Sequence, residues 1–526
     1  MRKMLAAFVV AVLASTSAHA QRGRGGPAVP ADGGPNGLGA LHFRPLGPEG
    51  NRVASIAGVP GDSQTVYIGA ADGGIWKTSD AGIRWEPIFD DKDVSAIGAL
   101  AVAPSAHDIV WAGTGEPWMI RPYYTLGDGV YKSADAGRTW RHMGLDATGK
   151  IARVVIDPAN ANNVYVCAIG QAFHPQKERG VFHTADGGAT WKQVLAVDEN
   201  TGCSDLAMDP HDANTLYAGM WQLIVHRYDL DSGGPSSGVY VTRDGGATWN
   251  KITGHGLPAA DHPLGKIAVA VAPSNPGRVY ALVQDAPAPG LYRSNDRGES
   301  WQLVNQSHLP AERAPYYTRM AVSPDDENLL YFPSVAFTMS RDGGATVFQA
   351  GGRGAGAAGG RGRAETGGRG VPAGASAQVG RGAEPGQGTP QISAPGGDNH
   401  DVWIDPTNAN RVLVANDAGV AISDNRAASY RHFLLPISQV YHVMADNAVP
   451  YNVMGNIQDK SSFRGPSRGG GGRGGMGVGN WEGAGGCEDA FTVPDPVDPD
   501  IVWSGCDNGR IVRMDYKNGM ARDVSA

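Results

Sequence analysis

Short apolar runs recur along this chain, and a polar turn introduces each of them. A turn rich in Pro, Asp or Asn precedes a run of Val, Leu, Ile and Tyr at five places. The runs contain the pairs Val164-Tyr165, Leu216-Tyr217, Val279-Tyr280, Leu330-Tyr331 and Val412-Leu413. Apolar runs of this length bounded by turn residues predict β-strands. Their recurrence predicts an internal repeat.

A second motif recurs in phase with these strands. It has Ser or Thr, then Asp two residues later, Gly after two more, and usually a Trp three further on. The six copies centre on Asp80, Asp135, Asp186, Asp244, Asp296 and Asp342, and a degraded seventh lies around Ser423-Asp424. An Asp that accepts backbone N–H groups, followed by a Gly able to adopt positive φ, is typical of a hairpin turn. We therefore expect all six Asp side chains to be structural.

The interval between consecutive motifs, 46 to 58 residues, is about the length of one four-stranded propeller blade. The boxes resemble the Asp-box (BNR) repeats of sialidases, sortilin-type receptors and the xyloglucanases of glycoside hydrolase family 74, over residues 50–526. We predict an all-β fold of propeller blades, with the start of a second ring at the C-terminal end. Many chemistries share such folds, so the resemblance of the boxes alone does not specify a function.

The N-terminus has the layout of a cleavable secretory signal. Arg2 and Lys3 precede an apolar run from Leu5 to Leu13, and Ala18-His19-Ala20 resembles a cleavage site. We expect cleavage after Ala20 and a secreted or periplasmic product. No later stretch approaches the roughly 20 apolar residues that a membrane span requires.

Changes in amino-acid composition along the remaining chain predict its division into segments. We expect a flexible segment at 21–45, propeller blades at 46–349, a disordered Gly/Arg-rich insertion at 350–395 and further blades at 396–526, with a Gly/Arg-rich loop at 465–479. The chain stops soon after the strand at 510–514, so the last blade is predicted to be incomplete. A truncated product is favoured over completion by the N-terminal segment.

The chain has four cysteines, and an exported chain favours their oxidation. We predict disulfides between Cys167 and Cys203 and between Cys487 and Cys506, although four cysteines allow three pairings. No Cys-x-x-Cys motif or His cluster accompanies them, so neither a metal site nor a cofactor is expected. The formal charge of −8 indicates no general attraction to nucleic acid.

The resemblance to the family 74 enzymes implies two catalytic carboxyl groups. The segment Gly396 to Asp401 resembles the stretch that carries their acid, which implies Asp398 as the acid, with His400 or Asp401 in support. The stretch Ala70 to Trp76 resembles the one that carries their base, which implies Asp72. An inverting glycosidase needs two such carboxyl groups roughly 6.5–9.5 Å apart. Asp-Gly-Gly is also a good tight turn, which is the competing interpretation of Asp72.

Further polar and aromatic residues outside the boxes are candidates for ligand binding. They are Glu116 and Trp118, with Gln458 and Asp459 after a later apolar strand. Aromatic rings beside carboxylates suit the apolar faces and hydroxyl groups of sugars. The leading hypothesis is an exported propeller that binds a polysaccharide or glycan and hydrolyses it by paired carboxylates. The rival is a non-catalytic, sortilin-like scaffold for a peptide or protein ligand, and a third possibility is an inactive relic.

Overall fold

The computed structural model of this protein describes residues 47–525, except 49, 51, 119–124, 228, 287, 351–390, 393, 468–480 and 489. The side chains of residues 391, 392 and 507 are also outside the description. The predicted signal peptide and the flexible segment up to residue 45 therefore lie outside the described residues, as do most of the predicted insertion and of the later Gly/Arg-rich loop.

The described chain folds into nine antiparallel sheets, each made of consecutive strands. The first three sheets contain β1 Val53–Val59, β2 Asp62–Ala70, β3 Ile75–Thr78 and β4 Glu86–Pro87; β5 Ile97–Ala103, β6 Ala106–Thr114, β7 Val130–Ser133 and β8 Arg141–His142; β9 Ile151–Asp157, β10 Asn160–Ala168, β11 Gly180–Thr184 and β12 Lys192–Leu195.

The next three sheets contain β13 Thr201–Asp209, β14 Asp212–Val225, β15 Leu230–Ser232, β16 Gly238–Thr242 and β17 Asn250–Ile252; β18 Ile267–Ala272, β19 Asn275–Val283, β20 Gly290–Ser294 and β21 Gln302–Asn305; β22 Ala321–Ser323, β23 Asp326–Phe332, β24 Thr338–Ser340 and β25 Phe348–Gln349. In the fourth sheet β15 pairs with the extension of β14, and the other four strands follow in order.

The last three sheets contain β26 Gln391–Ile392, β27 Asn399–Asp405, β28 Asn408–Asn416, β29 Gly419–Ser423 and β30 Tyr430–Phe433; β31 Val440–Ala445, β32 Asn452–Ile457, β33 Ser462–Pro466 and β34 Glu482–Gly483; β35 Thr492–Pro494, β36 Ile501–Gly505, β37 Ile511–Asp515 and β38 Met520–Asp523. Short 3-10 turns occupy Asp146–Thr148, Leu309–Ala311 and Asp507–Gly509.

The first seven sheets close into a ring. The inner strands of the seven sheets contact each other in the order β1, β5, β9, β13, β18, β22 and β27, and β27 contacts β1. These inner strands carry continuous apolar runs, such as the fully buried Ile267–Ala272, because both of their faces are covered. The predicted all-β architecture of four-stranded blades is confirmed.

Side-chain packing closes the ring, since each sheet uses only its own stretch of chain. One buried cluster joins Val53 and Ile68 of the first sheet to Leu413 and Ile422 of the seventh. The ring of Trp403 lies so close to Gly58 that any side chain at this position would clash with it.

The Asp boxes form the turn between the third and fourth strands of each of the first six sheets. In the third sheet, the Thr184 hydroxyl donates to Asp186 and accepts from the N–H of Gly188, while Asp186 accepts from the N–H and hydroxyl of Thr190. Gly188 has a φ of 95°. In the degraded seventh box, Asn425 rather than Asp424 makes these bonds, to Ser423 and Ser429.

Two boundaries differ from the sequence predictions. Gln391–Ile392 pairs with β30, so the seventh sheet begins inside the segment predicted as an insertion up to residue 395. The last sheet has four strands rather than the incomplete set that was predicted. The prediction failed because only residues 516–519 separate β37 from β38, so a whole sheet fits into a short stretch.

Both pairs of cysteines named in the sequence analysis are bonded. Cys167 at the end of β10 is joined to Cys203 in β13, with Cα atoms 5.1 Å apart, so this bond links the third and fourth sheets. Cys487 is joined to Cys506 across the beginning of the ninth sheet, with Cα atoms 4.5 Å apart.

Candidate functional site

One arginine joins several sheets at one end of the ring. Arg52 directly precedes β1 and is buried, and its Nη1 donates to Gln439 at 2.5 Å. Its Nε lies 3.4 Å from Oδ1 of Asp417 and 3.7 Å from Oδ2 of Asp459, and its Nη1 lies 3.6 Å from Oε1 of Glu116. One guanidinium therefore contacts acidic groups of the second, seventh and eighth sheets.

Aromatic rings lie under this guanidinium. The Arg52 Cζ is 4.9 Å from the centre of the Trp118 ring and 5.7 Å from that of Tyr316. His400 stacks on Trp118 with the centres 3.7 Å apart, and the ring of Tyr317 lies nearly parallel to the imidazole at 5.7 Å. These contacts add four stacked or tilted rings to the acidic groups around Arg52. Arg52, its acidic partners and these four rings are called the Arg52 cluster below.

Asp398 reaches the cluster through a tyrosine. The hydroxyl of Tyr317 donates to Oδ1 of Asp398, and burial followed by this bond raises the pKa of Tyr317. The backbone of Asp398 accepts from the N–H of Asp417 at 3.1 Å. The predicted acid therefore lies beside the seventh-sheet turn that carries Asp417.

A β-bulge sets the direction of His400. In the pairing of β27 with β28, Asn399 faces Asn416 and Asp401 faces Ala415, so His400 is the extra residue. Its Nε2 lies 2.5 Å from Oδ1 of Asp417. Burial and then the Arg52 charge lower the pKa of His400 well below its ordinary value, so the imidazole is neutral.

Asp401 does not support Asp398, contrary to the second option from the sequence. Its Oδ1 accepts from Arg153 at 3.0 Å and lies 3.5 Å from Arg319, while its Oδ2 accepts from the N–H of Ile56 at 3.2 Å. Arg153 also donates to Asp205 at 2.7 Å. Successive side chains of a strand point to opposite faces, and the bulge at His400 shifts this alternation. Asp401 therefore points towards these residues of the inner strands and the segment before β22. Arg153, Asp205, Arg319 and Asp401 are called the channel belt below.

Asp72 lies in the turn between β2 and β3. It accepts from the hydroxyl of Ser95 at 2.5 Å and from that of Thr125 at 3.0 Å. The preceding Ala71 is buried in one apolar cluster with Trp118 and Tyr317, so this turn is at the same end of the ring as the Arg52 cluster.

Glu116 has the most unusual environment of the predicted ligand-binding residues. It is fully buried, and neither carboxyl oxygen has a hydrogen-bond partner among the described residues. Burial raises the pKa of Glu116 to about 7; Asp72 adds to this, while Arg52 and Lys150 oppose it. Lys150 donates to the backbone carbonyl of Glu116 at 2.8 Å.

Asp459 and Gln458 enter from the eighth sheet. The Gln458 amide donates to Oδ1 of Asp459 at 3.0 Å, and the N–H of Asp459 donates to Glu488 at 2.5 Å. Burial is the largest cause of the raised pKa of Asp417 and of Asp459. Six of the eight predicted catalytic, supporting and ligand-binding residues thus meet in one network around Arg52: Glu116, Trp118, Asp398, His400, Gln458 and Asp459.

A set of buried cations was not predicted from the sequence. Arg52, Lys150 and Lys266 directly precede an inner strand, and Arg319 lies two residues before β22. Lys266 donates to the carbonyls of Pro315, Tyr316 and Tyr317 and so holds the segment that carries the tyrosines. The available signal was a single basic residue immediately before an apolar run, as in Lys150-Ile151 and Lys266-Ile267.

Two negative observations apply to the described ranges only. No three His, Cys, Asp or Glu side chains there are arranged to hold a metal ion. No helix in the same ranges has the length and apolar character to cross a membrane.

Comparison with known proteins agrees with this architecture. A family model described as "Sortilin, neurotensin receptor 3" matches residues 128–256. A xyloglucanase of Paenibacillus sp is 23% identical over 352 residues, which cover 57% of this chain and 31% of the relative. An oligoxyloglucan-reducing end-specific xyloglucanase of Emericella nidulans is 21% identical, and the match covers 34% of that relative. The chain thus spans about a third of the length of these relatives.

Among solved structures, an ancestral enzyme of glycoside hydrolase family 74 matches with a TM-score of 0.41 and 16% identity, covering 89% of this chain and 62% of that one. The repeated boxes, the sheets and the sequence relatives lead to one conclusion. The chain is an Asp-box β-propeller protein that is similar to the sortilin and family 74 xyloglucanase group.

Proposed function

We propose that this protein is a glycoside-hydrolase-like propeller that binds a polysaccharide or glycan at the Arg52 cluster. The observation that carries the proposal is the convergence of carboxyl groups and aromatic rings at one end of the ring. The rings are buried and hold the cluster together, whereas the carboxyl groups of Asp72, Asp398 and Asp459 are partly exposed and can accept hydrogen bonds from sugar hydroxyl groups. The similarity to xyloglucanases favours a β-glucan such as xyloglucan.

Hydrolysis is proposed to use Asp72 as the base and Asp398 as the acid. Asp72 accepts two hydroxyl hydrogen bonds, which hold its carboxylate in one orientation while leaving lone pairs for a water molecule. In an inverting reaction this water attacks the anomeric carbon, loses its proton to the base, and the acid protonates the departing oxygen. The tyrosine hydroxyl fixes Asp398 in the same way.

The test is release of reducing sugar from a panel of β-glucans that includes xyloglucan. We expect release by the mature protein and a loss of roughly 100-fold or more in Asp72→Asn and Asp398→Asn. Asp146→Asn is the matched control, because its side chain is 76% exposed and pairs only with His142 among the described residues. Absence of release and of glycan binding by the folded protein would contradict the proposal.

A sortilin-like binding scaffold is the second candidate, and one observation favours it. A cavity of about 310 Å³ is lined by Arg153 and Asp205 of the channel belt and by apolar residues that include Val155, Val269 and Val322. Such walls suit apolar peptide side chains better than sugars. Binding of peptides from a random library, blocked by Val269→Trp and unaffected by Asp72→Asn, would support this candidate.

Export is proposed together with either function. Cleavage after Ala20 would release a secreted or periplasmic protein, and N-terminal sequencing of the exported product tests the site.

A further inference from the structure

We infer that the outer cleft between the second and third sheets is a separate binding site for an acidic glycan, which it holds by a uronate carboxylate. A cavity of about 650 Å³ lies in this cleft. Lys132, Arg141 and His142 of the second sheet line it together with the third Asp box, from Asp186 to Ala189. The cavity shares no residue with the Arg52 cluster, so the inference does not depend on the proposed hydrolysis.

Two cations face this cavity from neighbouring strands. In the pairing of β7 with β8, Lys132 lies directly opposite Arg141. Opposite residues of an antiparallel pair share one face of the sheet, and like charges in this arrangement are destabilising. Lys132 donates to the carbonyl of Gly187 across the cleft at 3.0 Å, so the shared face is turned towards the third sheet. The wall of the cavity therefore holds two positive charges side by side.

The first sheet has the opposite charge pattern at the same place. Lys77 corresponds to Lys132, because each directly precedes the Ser or Thr of its own box and donates to a backbone carbonyl of the next box. Lys77 lies opposite Glu86, whereas Lys132 lies opposite Arg141. The position thus accepts an acidic partner, and the second sheet has a second cation there instead.

No carboxylate of the described residues neutralises Arg141. Its side chain is exposed and makes no ion pair or hydrogen bond within the part of the chain that the structure describes. Asp186 also lines the cavity, but its carboxylate accepts from the hydroxyls of Thr184 and Thr190, as the Asp of a box ordinarily does. The pair of cations is therefore left to attract an acidic group from outside the chain.

The size and lining of the cavity indicate what carries this acidic group. Guanidinium and ammonium groups bind carboxylates by charge-assisted hydrogen bonds. The volume of about 650 Å³ lies within the roughly 300–1,000 Å³ of ligand pockets and exceeds what a lone carboxylate fills. Thr139 and His142 also line the cavity, and such polar groups suit the hydroxyls of a sugar ring. A uronate residue combines the carboxylate with these hydroxyls.

An acidic peptide offers the same charge but fits the lining less well. The large apolar residues of the cavity wall are Met143 and Trp140, and Trp140 is only 6% exposed. Little surface is thus available for the apolar side chains that usually anchor a peptide. The acidic glycan is therefore the ligand that we assign, and the acidic peptide is included in the test.

The test is calorimetric titration with trigalacturonate at pH 7, with maltotriose as the neutral probe. We expect trigalacturonate to bind, and the binding to weaken as salt is added. Arg141→Glu should weaken it roughly 10-fold or more, because it removes a charge-assisted contact and adds a repulsive charge. No binding by the unsubstituted protein, unchanged binding by Arg141→Glu, or equal binding of maltotriose would overturn the inference.

Arg522→Glu is the matched control for the change of charge. Arg522 is exposed and lies opposite another arginine, Arg513, but Asp515 is 3.7 Å from Arg513 and neither arginine lines this cavity. This variant should bind trigalacturonate as the unsubstituted protein does. An equal loss in both variants would reduce the effect to overall charge and overturn the site. Tighter binding of triglutamate than of trigalacturonate, lost in Arg141→Glu, would overturn the assignment to a glycan.

Arg141→Glu should fold, since it creates the Lys-Glu pair that the first sheet already has. A second measurement nevertheless needs no substitution. Phenylglyoxal modifies exposed arginines, and mass spectrometry locates them. Trigalacturonate should protect Arg141 but not Arg522 in the unsubstituted protein. Equal rates of modification of Arg141 with and without trigalacturonate would overturn the inference.

Two variants of the proposed hydrolytic site separate this inference from the proposed function. Asp72→Asn and Asp398→Asn should bind trigalacturonate with unchanged affinity. Loss of binding in either variant would assign the ligand to the Arg52 cluster and overturn the outer site. If no β-glucan is hydrolysed but binding still depends on Arg141, the proposed hydrolysis fails and the outer site is supported.

Discussion

At the scale of single residues, the site brings together charged groups that are largely buried from solvent. Arg52 offsets the acidic groups of Asp417, Asp459 and Glu116, yet Glu116 receives no hydrogen bond among the described residues. A buried carboxyl group without donors is destabilising when ionised. Such a residue at the centre of the proposed ligand site indicates that the position is kept for something other than stability.

Glu116 should make the protein less stable as the pH rises. The folded state holds its proton up to about pH 7, whereas the unfolded chain releases it near pH 4.5. Between these values the folded state binds more protons, so the free energy of unfolding falls with rising pH. Glu116→Gln should therefore raise this free energy at pH 8 more than at pH 5, by about 3 kcal/mol.

The measurement is thermal or urea unfolding of both proteins at the two pH values. The exposed Glu178→Gln is the control and should show no such dependence on pH. An equal effect of Glu116→Gln at pH 5 and pH 8 would contradict the assignment.

At the scale of elements, the Asp box is a turn held mainly by one hydroxyl group. In the second box the buried Ser133 donates to Asp135 at 2.8 Å and accepts from the N–H of Gly137 at 2.8 Å. The box in the seventh sheet keeps the hydroxyl of Ser423 but replaces Asp by Asn425. The hydroxyl is thus the more constant member of the turn.

Ser133→Ala should destabilise the second sheet, because it leaves the N–H of Gly137 buried without a partner. The expected cost is about 1–3 kcal/mol. Ser133→Thr is the matched control and should be neutral, since Thr184 makes the same bonds in the third box. The midpoint of thermal unfolding checks both, and equal midpoints for the Ala and Thr variants would refute the argument.

The channel belt and the Arg52 cluster should respond differently to substitution, although Asp398 and Asp401 are only three residues apart. Asp401→Asn leaves the buried Arg319 without its nearest carboxylate and should cost about 3 kcal/mol. Asp398→Asn should leave the unfolding midpoint nearly unchanged and reduce activity. Unfolding curves and sugar release of the two variants check this, and an unchanged midpoint for Asp401→Asn would count against a structural belt.

At the scale of the whole molecule, the ring depends on contacts between neighbouring sheets. The bond between Cys167 and Cys203 covalently joins the third and fourth sheets over a sequence separation of 36 residues. Apolar clusters also join neighbouring sheets, such as the one shared by the fourth and fifth sheets.

Replacing Cys167 and Cys203 by Ser should lower the stability of the ring by about 4 kcal/mol, from the loss of the loop constraint. The matched variant without Cys487 and Cys506 affects a separation of 19 residues outside the ring. It should therefore leave the ring's own unfolding transition in place. Calorimetry checks both, and identical traces for the first variant and the unsubstituted protein would contradict the prediction.

The sequence predicted the repeats of this molecule well and its site only in part. Boxes and strands repeat locally, so their hydrogen bonds connect residues a few positions apart, as in the Asp186 turn. The site instead depends on contacts such as Arg52 with Asp417 and Arg153 with Asp401, which join distant stretches. No local pattern encodes such pairs, and a bulge at His400 decided which neighbour of Asp398 faces the site.

The closure of the ring has a consequence for the order of folding. The apolar face of the first sheet, with Val53 and Ile68, is covered by Leu413 and Ile422, which are synthesised much later. Contacts of such separation form slowly because a long loop must first be closed. During synthesis the first blade therefore exposes its apolar face to solvent until the seventh blade has been synthesised. Any slowing of translation between them would lengthen the period in which the unfinished ring is prone to aggregate.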